Sequence, residues 1–217
     1  MTEIQRARIA LKILDKTYPK ISVPLKSRNI FTLLISVLLS AQCTDVNVNN
    51  VTKKIYPKYY KPQHFLKLGR KKIEKLIKKI GIFRIKAKSI YNLSKLLIEK
   101  HEGQVPKTFK ELEELPGVGH KTASVVMSQG FGQPAFPVDT HIHRLAQRWG
   151  LTNGKNVVQT EKDLKRLFPK KKWNKLHLQI IYYGREYCKA RDCYGLTCKI
   201  CTSCYPKRKK PLKTKKA

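Results

Sequence analysis

A turn that could bind a phosphate lies near the middle of the chain. It contains Gly117 and Gly119 directly after Pro116, which ends a helix predicted over residues 109–115. Glycine permits positive φ angles and a close approach of the backbone to a ligand. A second helix is predicted to begin after the turn, where unpaired N–H groups and the positive end of the helix dipole favour an anion.

Lys121 and Asp139 are the residues that could carry out chemistry beside this turn. Lys121 lies in the first turn of the second helix, where the dipole disfavours a positive charge. A neutral lysine amine is a nucleophile, and a carboxylate at a helix start can accept its proton. The alternatives are an ordinary surface lysine and an aspartate that only caps the helix predicted over residues 138–149. The glycines and the nearby aspartate together favour the catalytic interpretation.

A group of cysteines near the C-terminus indicates a metal centre. Five of the six cysteines fall between positions 188 and 204, in a polar segment too short to build its own core. Their spacing permits either zinc or an iron–sulfur cluster, since both are bound by closely spaced thiolates. The five are Cys188, Cys193, Cys198, Cys201 and Cys204.

The elements that position these residues are all predicted to be helices, and we find no convincing strand and no repeat. Residues 29–41 form a dense apolar run whose length and lack of alternation favour a buried core helix. Helices over residues 69–80 and 84–101 are joined by Gly81, Ile82 and Phe83. We expect the two apolar residues of this connection to pack inward, although exposure would suit a wedge that enters a base stack.

The charge of the chain points to a polyanionic partner. There are 47 Lys and Arg residues against 14 Asp and Glu residues, which gives a net charge of +33. Nucleic acid is the first candidate, and a general lysine bias of the source proteome is the alternative. No segment approaches about 18 consecutive apolar residues, so we expect an intracellular protein without a membrane partner. The basic segment 206–217 is predicted to be a disordered tail.

Four separate motifs resemble those of the endonuclease III family of helix-hairpin-helix DNA glycosylases. They occur in the family's order between Ile30 and Cys204, which makes the match far more specific than any one motif. They are Leu-Leu-Ser-Ala-Gln-Cys-Thr-Asp at 38–45, Leu-Pro-Gly-Val-Gly-His-Lys-Thr-Ala at 115–123, Val-Asp-Thr-His-Ile-His-Arg at 138–144, and Gly-Arg-Glu-Tyr-Cys at 184–188.

The resemblance implies an all-α, two-lobed helix-hairpin-helix DNA glycosylase fold, with DNA bound between the lobes. A helical bundle would cover residues 23–133, and residues 1–22 and 134–205 would form a lobe around a [4Fe–4S] cluster. The implied protein is a monomeric, cytoplasmic, nucleoid-associated base excision repair enzyme that acts on damaged double-stranded DNA. It would remove oxidised pyrimidines and cleave the abasic site by β-elimination through a lysine Schiff base. The damaged nucleotide would be flipped out of the duplex, which costs least for a poorly stacked base.

The resemblance also assigns roles to individual residues. Lys121 would be the nucleophile, and Asp139 would accept its proton or stabilise the cationic sugar. Gln42 matches a residue that fills the gap left by the extruded base, and Ile82 matches an apolar wedge. For Gln42, Ile82 and the matched positions Ser40, Asp45 and His141, a core or capping role is an equally good interpretation. The full set of implied DNA-binding residues is Ser40, Gln42, Asp45, Ile82, Leu115, Gly117, Val118, Gly119 and His141.

The cysteine spacing departs from the family pattern of C-x6-C-x2-C-x5-C. Cys188 and Cys204 keep the family's overall span, but the inner C-x2-C pair is displaced towards the C-terminus. We therefore predict Cys188, Cys198, Cys201 and Cys204 as cluster ligands, with Cys193 as an extra or substitute thiol.

Two other functions are compatible with parts of the sequence. A monofunctional glycosylase, such as an adenine-removing relative, generally lacks a lysine at the position of Lys121. A noncatalytic helix-hairpin-helix protein would use the turn only for phosphate contacts. The presence of both Lys121 and Asp139 favours the bifunctional enzyme over either alternative.

Overall fold

The computed structural model describes residues 1–217 and is entirely helical, which confirms the all-α prediction. A π-helix covers Val126–Gly130 and a 3₁₀ helix covers Lys170–Lys172. The α-helices in chain order are α1 (Glu3–Thr17), α2 (Ile30–Ser40), α3 (Asp45–Ile55), α4 (Pro62–Leu76), α5 (Phe83–His101), α6 (Phe109–Glu113), α7 (His120–Val125), α8 (Thr140–Arg148), α9 (Val157–Leu167), α10 (Trp173–Glu186) and α11 (Lys199–Cys204).

The helices form two compact units. The continuous unit is Val23–Gln133, and the discontinuous unit combines Met1–Ser22 with Pro134–Ala217. Lys121 therefore belongs to the continuous unit, whereas Asp139 and the cysteine group belong to the discontinuous unit.

Helix α2 is the core helix of the continuous unit. All of its residues from Phe31 to Leu39 are buried, which explains why its sequence is apolar on every side. Asn29 begins the helix with a reciprocal capping box: its side chain accepts from the Thr32 N–H, and the Thr32 hydroxyl accepts from the Asn29 N–H. The motif at 38–45 begins in the last turn of this helix and continues past its end at Ser40.

Helix α4 begins earlier than the sequence pattern indicated. Pro62 occupies the first helical position, where its fixed φ and missing N–H are tolerated. Gly69 interrupts the helix with a φ of 71°. The amphipathic pattern from residue 69 therefore describes only the second part of α4.

The discontinuous unit packs around α8. Ile142 and Leu145 of α8 and its C-cap, Trp149, are fully buried. They pack with Leu14 of α1 and Ile180 of α10 in the same core. The chain thus returns its N-terminal helix to the same core as its C-terminal half.

The C-terminal segment, for which the composition predicts disorder, makes backbone contacts with this unit. The Leu212 N–H donates to the Tyr194 carbonyl at 2.9 Å. The backbone of Lys215 exchanges hydrogen bonds of 2.8 and 3.1 Å with the side chain of Gln147. These contacts use backbone groups, which a prediction based on the lysine content of the segment does not consider.

Candidate functional site

The turn between α6 and α7 requires one of its two glycines for conformational reasons. Gly117 has a φ of 82°, and a Cβ there would lie 2.9 Å from Ser89 Cβ and 3.1 Å from Leu38 Cδ1. Gly119 has a φ of −96° and is the N-cap of α7. A Cβ at Gly119 would meet nothing within 4 Å. Positive φ is therefore used at Gly117 alone, and Gly119 keeps open the space in front of the helix.

The apolar residues of the turn face inward. Leu115 and Val118 are 2% and 5% exposed, and the Val118 N–H donates to the Leu115 carbonyl at 3.0 Å. Their predicted role in DNA binding can therefore involve only their backbone. Lys121 is exposed in the first turn of α7, a helix whose N-cap supplies no side-chain hydrogen bond. The backbone N–H groups at the start of α7 and the amine of Lys121 thus lie within the same helical turn.

A contact between α6 and α7 was not foreseen from the sequence. Glu113 Oε1 lies 2.7 Å from His120 Nδ1. The ring of Phe109 stacks on His120 with 5.5 Å between centroids. This pairing links the two helices on either side of the turn that precedes Lys121. It joins residues on different helices, so no helical or strand period reveals it.

We expect alanine at the two glycines to affect different properties, stability at Gly117 and DNA binding at Gly119. Gly117→Ala forces a non-glycine residue into positive φ and a steric overlap, so it should destabilise the protein by about 1–3 kcal/mol. Gly119→Ala should leave the midpoint of thermal unfolding nearly unchanged but weaken DNA binding, because its methyl group occupies the space that a phosphate would need. Unfolding by circular dichroism and binding by fluorescence anisotropy check both. Unchanged DNA affinity in Gly119→Ala would contradict the phosphate assignment.

Gln42 and Ile82 lie on two adjoining turns of the continuous unit. Both have left-handed backbone conformations, with φ of 54° and 51°. A Cβ on Gly81 would lie 3.7 Å from the Gln42 carbonyl oxygen, so the two turns are in contact. The Ile82 side chain is 50% exposed, which corrects the expectation that it packs inward. Ile82 is the N-cap of α5 and precedes its first helical residue. The periodicity of the buried residues in α5 therefore does not predict whether Ile82 is buried.

Ser40 and Asp45 flank the Gln42 turn. The half-buried Ser40 hydroxyl donates to the Val37 carbonyl at 2.8 Å, so it is partly engaged within α2. Thr44 caps α3 through the Asn47 N–H, and Asp45 is the first helical residue. The capping interpretation therefore applies to Thr44.

Lys86 of α5 reaches the same turn. Its ammonium group donates hydrogen bonds to the carbonyls of Leu39 at 2.9 Å and Ala41 at 2.6 Å. Burial lowers the pKa of Lys86, and the nearby Cys43 thiol opposes this effect. No pattern in the sequence distinguishes this residue from the many other lysines.

Asp139 is the N-cap of α8 in the discontinuous unit. Its Oδ1 accepts from the Ile142 N–H at 2.8 Å, which fixes the orientation of the carboxylate and leaves Oδ2 outside that hydrogen bond. The side chain is partly exposed, so capping does not remove it from solvent. His141 follows in the first turn, with Nδ1 3.3 Å from Arg144 Nη2. The predicted cap is therefore present, and it is compatible with a chemical role.

The structure brings together a different set of four cysteines from the predicted set. Cys188, Cys193, Cys198 and Cys201 are buried, and their sulfurs all lie within 4.8 Å of one another. Cys204 is outside this group, with its Sγ 3.9 Å from the Arg6 carbonyl oxygen.

Backbone conformation explains the correction. Tyr194 and Gly195 have φ of 45° and 84°, which turns the chain back directly after Cys193. The Cys198 N–H then lies 3.5 Å from Cys193 Sγ. The spacing of the cysteines indicated that Cys193 was an extra thiol in a lengthened loop. Spacing alone does not predict this reversal of the chain.

Two arginines of α8 fasten the cysteine loop. Arg148 is 2% exposed and donates to the carbonyls of Lys189 at 2.8 Å and Ala190 at 2.9 Å. Arg144 donates to the carbonyl of Cys188 at 3.1 Å. Four buried thiols so close together are the donor set of a cysteine-ligated iron–sulfur cluster, and a zinc ion can use the same set. The residues present therefore fit a [4Fe–4S] cofactor.

Serine substitutions separate the two possible ligand sets. Cys193→Ser should abolish or shift the absorption band near about 400 nm that thiolate-bound iron–sulfur centres give. Cys204→Ser should retain the band and the iron content of the wild type, because its sulfur lies apart from the other four. Loss of the band in Cys204→Ser with retention in Cys193→Ser would restore the set predicted from the sequence.

The fold and these residues define a class of DNA repair protein. Residues 35–170 match the model of the HhH-GPD superfamily, described as base excision DNA repair proteins. The chain is 40% identical to endonuclease III of Bacillus subtilis strain 168 over 98% of both chains. It is also 40% identical to endonuclease III of Escherichia coli K12, over 96% of this chain and 99% of the relative.

A solved structure agrees with these relationships. A trapped endonuclease III–DNA covalent intermediate, an estranged-adenine complex, is 41% identical, with a TM-score of 0.87 over 92% of this chain and 94% of the other. The chain belongs to the endonuclease III family. It is a base excision repair DNA glycosylase with AP lyase activity, its partner is DNA and its cofactor is a [4Fe–4S] cluster. The noncatalytic and monofunctional alternatives are disfavoured. No helix has the length and apolar character needed to cross a membrane.

Proposed function

We propose that the enzyme removes oxidised or ring-saturated pyrimidines from duplex DNA and then cleaves the strand by β-elimination, with Lys121 as the nucleophile. The observation that carries the proposal is the position of Lys121, which is exposed in the first turn of α7, directly after the glycine-containing turn. The start of this helix has no side-chain cap, so its first N–H groups are not occupied by one. That position suits an amine that must reach a sugar while the backbone beside it binds the adjacent phosphates.

The proposed chemistry uses one amine for two steps. The Lys121 nitrogen forms a bond to the sugar C1′, and the bond from C1′ to the base breaks, with its electron pair leaving on the base. Loss of the amine proton and opening of the sugar give a Schiff base. This imine accepts electrons when a C2′ proton is removed, so the 3′ phosphate leaves by β-elimination.

Asp139 supports the first of these steps. Its carboxylate would accept the proton of Lys121 or stabilise the cationic sugar as the glycosidic bond breaks. The hydrogen bond from the Ile142 N–H holds the carboxylate in one orientation during this step. Asp139 therefore combines capping with catalysis.

The remaining site residues would hold the duplex. The exposed side chains of Gln42 and Ile82 would occupy the space left by the flipped nucleotide. Ser40, Asp45 and His141 would contact the flipped nucleotide or its strand. The backbone of the turn at 115–119 would bind phosphate.

The cluster has a structural role in this proposal. Cys188, Cys193, Cys198 and Cys201 would be its ligands. When bound, the cluster cross-links the loop that follows α10, and no step of the reaction passes through it. We further propose that the enzyme acts as a monomer in the cytoplasm, associated with the nucleoid, and that its two units are the two lobes that bind DNA.

A panel of duplexes tests the proposed substrate. Each duplex carries one site in the same sequence: a ring-saturated thymine, an oxidised cytosine, an oxidised purine, an abasic site or an undamaged base. We expect strand cleavage and borohydride-trapped complex with both pyrimidine lesions and with the abasic site, and little with the others. Equal processing of the oxidised purine would contradict the lesion class. Base removal that leaves the strand intact would indicate a monofunctional glycosylase.

A further inference from the structure

Lys86 has an unusual environment for a lysine of this protein. Among 47 Lys and Arg residues, only Lys86 and Arg148 are buried, and Lys86 is 3% exposed. The burial of Arg148 is explained by its hydrogen bonds to carbonyls of the cysteine loop. Burying an ammonium group costs free energy unless hydrogen bonds replace its water, so the groups around Lys86 indicate what it does.

Those groups are the orphan carbonyls at the end of α2. The last carbonyls of a helix have no intrahelical donor, and a cation is favoured there by the helix dipole. Lys86 Nζ donates to the carbonyls of Leu39 and Ala41, at 2.9 and 2.6 Å. The second of these carbonyls belongs to the peptide unit that precedes Gln42. Lys86 thus fixes the direction in which the chain leaves α2.

Gln42 needs such support because its conformation is unfavourable. It has a φ of 54°, and a residue with a Cβ adopts the left-handed region at a cost of about 1 kcal/mol or more. The conformation persists only when neighbouring contacts require it. On the other side of the turn, the Asn47 side chain lies 3.2 Å from Cys43 Sγ and donates to the Lys79 carbonyl at 3.0 Å. Both flanks of Gln42 are therefore held.

We propose that Lys86 is a positioning residue, which holds the Gln42 turn in its left-handed conformation so that the Gln42 side chain can enter the duplex at the lesion. Because Lys86 itself is buried, its effect on the duplex would be exerted through this turn. The inference rests on the proposed function, because it takes the role of Gln42 in filling the duplex as given. The lowered pKa of Lys86, caused by burial, agrees with an environment that is dry and built around these carbonyls.

A double-mutant cycle tests the inference. The variants are Lys86→Met, Gln42→Ala and their combination, with the exposed Lys88→Met of the same helix as the matched control. The readout is kcat/KM for release of a ring-saturated thymine from a duplex by the full-length, cluster-containing enzyme. Because Lys86 acts through Gln42, we expect about a tenfold loss in each single variant and a double variant within about twofold of Gln42→Ala. Lys88→Met should remain within about twofold of the wild type.

The outcomes distinguish this inference from the proposed function. If the two losses multiply to about a hundredfold, Lys86 acts independently of Gln42 and the inference is wrong, while the proposed function stands. If Gln42→Ala has wild-type activity, both the role of Gln42 and the inference are overturned. If Lys86→Met does not fold, the cycle is run with Lys86→Gln, whose amide retains a donor and should show a smaller loss that is again absent in the Gln42→Ala background.

Discussion

Lys121→Gln is expected to abolish both strand cleavage and covalent trapping on abasic DNA. Glutamine keeps a polar end on a side chain that is one atom shorter, but it has no amine that can form a Schiff base. Loss of a covalent nucleophile should lower the rate of strand cleavage by roughly 10³-fold or more. The measurements are single-turnover cleavage of an abasic duplex and the yield of borohydride-reduced complex.

Stability and DNA affinity should change little in the same variant, because Lys121 is exposed. Lys110→Gln is the matched control, since it removes an exposed lysine of α6, on the other side of the turn. We expect it to be trapped as efficiently as the wild type. Comparable loss in both variants would show that total charge, and not a particular amine, supports the reaction.

Asp139→Asn should slow base removal by about 10² to 10⁴-fold, the range typical of a lost general acid or base. Asparagine is as good an N-cap as aspartate, so α8 should remain intact and the midpoint of thermal unfolding should stay close to that of the wild type. DNA affinity should also be retained. Single-turnover base release, thermal unfolding and binding anisotropy measure the three quantities.

Comparison with Asp139→Ser and Asp139→Ala separates the two roles of Asp139. Serine also caps a helix, whereas alanine should cost about 1 kcal/mol of stability through loss of the hydrogen bond to the Ile142 N–H. All three variants lack the carboxylate and should be similarly slow. If Asn and Ser variants retained wild-type turnover, Asp139 would be a cap only.

Local patterns explain which parts of the fold were predictable. The apolar run of α2 is buried throughout, and Asp139 caps α8, within the span where a helix was predicted. Both depend on interactions within a few residues. The start of α4 at Pro62 was missed, because the kink at Gly69 divides the helix into two parts with separate patterns.

The candidate site depends more on contacts between distant segments. The four clustered cysteines include Cys193 and not the predicted Cys204. This follows from a chain reversal at Tyr194 and Gly195, which the spacing of the cysteines does not encode. The contact of Lys86 with the end of α2 joins residues 45 to 47 positions apart. In a chain with so many lysines, composition cannot show which one is buried.

The exposure of Ile82 illustrates a further limit. An isoleucine in a connection between helices is ordinarily expected in the core, and here half of its surface is accessible. Its left-handed conformation and the adjoining Gln42 turn are properties of the folded backbone. Hydrophobicity alone therefore gave the wrong expectation, and the wedge role that the resemblance implies for Ile82 remains a proposal.

Mapping the covalent bond tests the central claim most directly. The wild-type enzyme is mixed with an abasic duplex, reduced with borohydride and digested with nuclease and protease, and the modified peptide is sequenced by mass spectrometry. We predict a single modified residue, Lys121, carrying the reduced sugar. Attachment at another lysine or at the N-terminal amine, with Lys121 unmodified, would contradict the proposed mechanism.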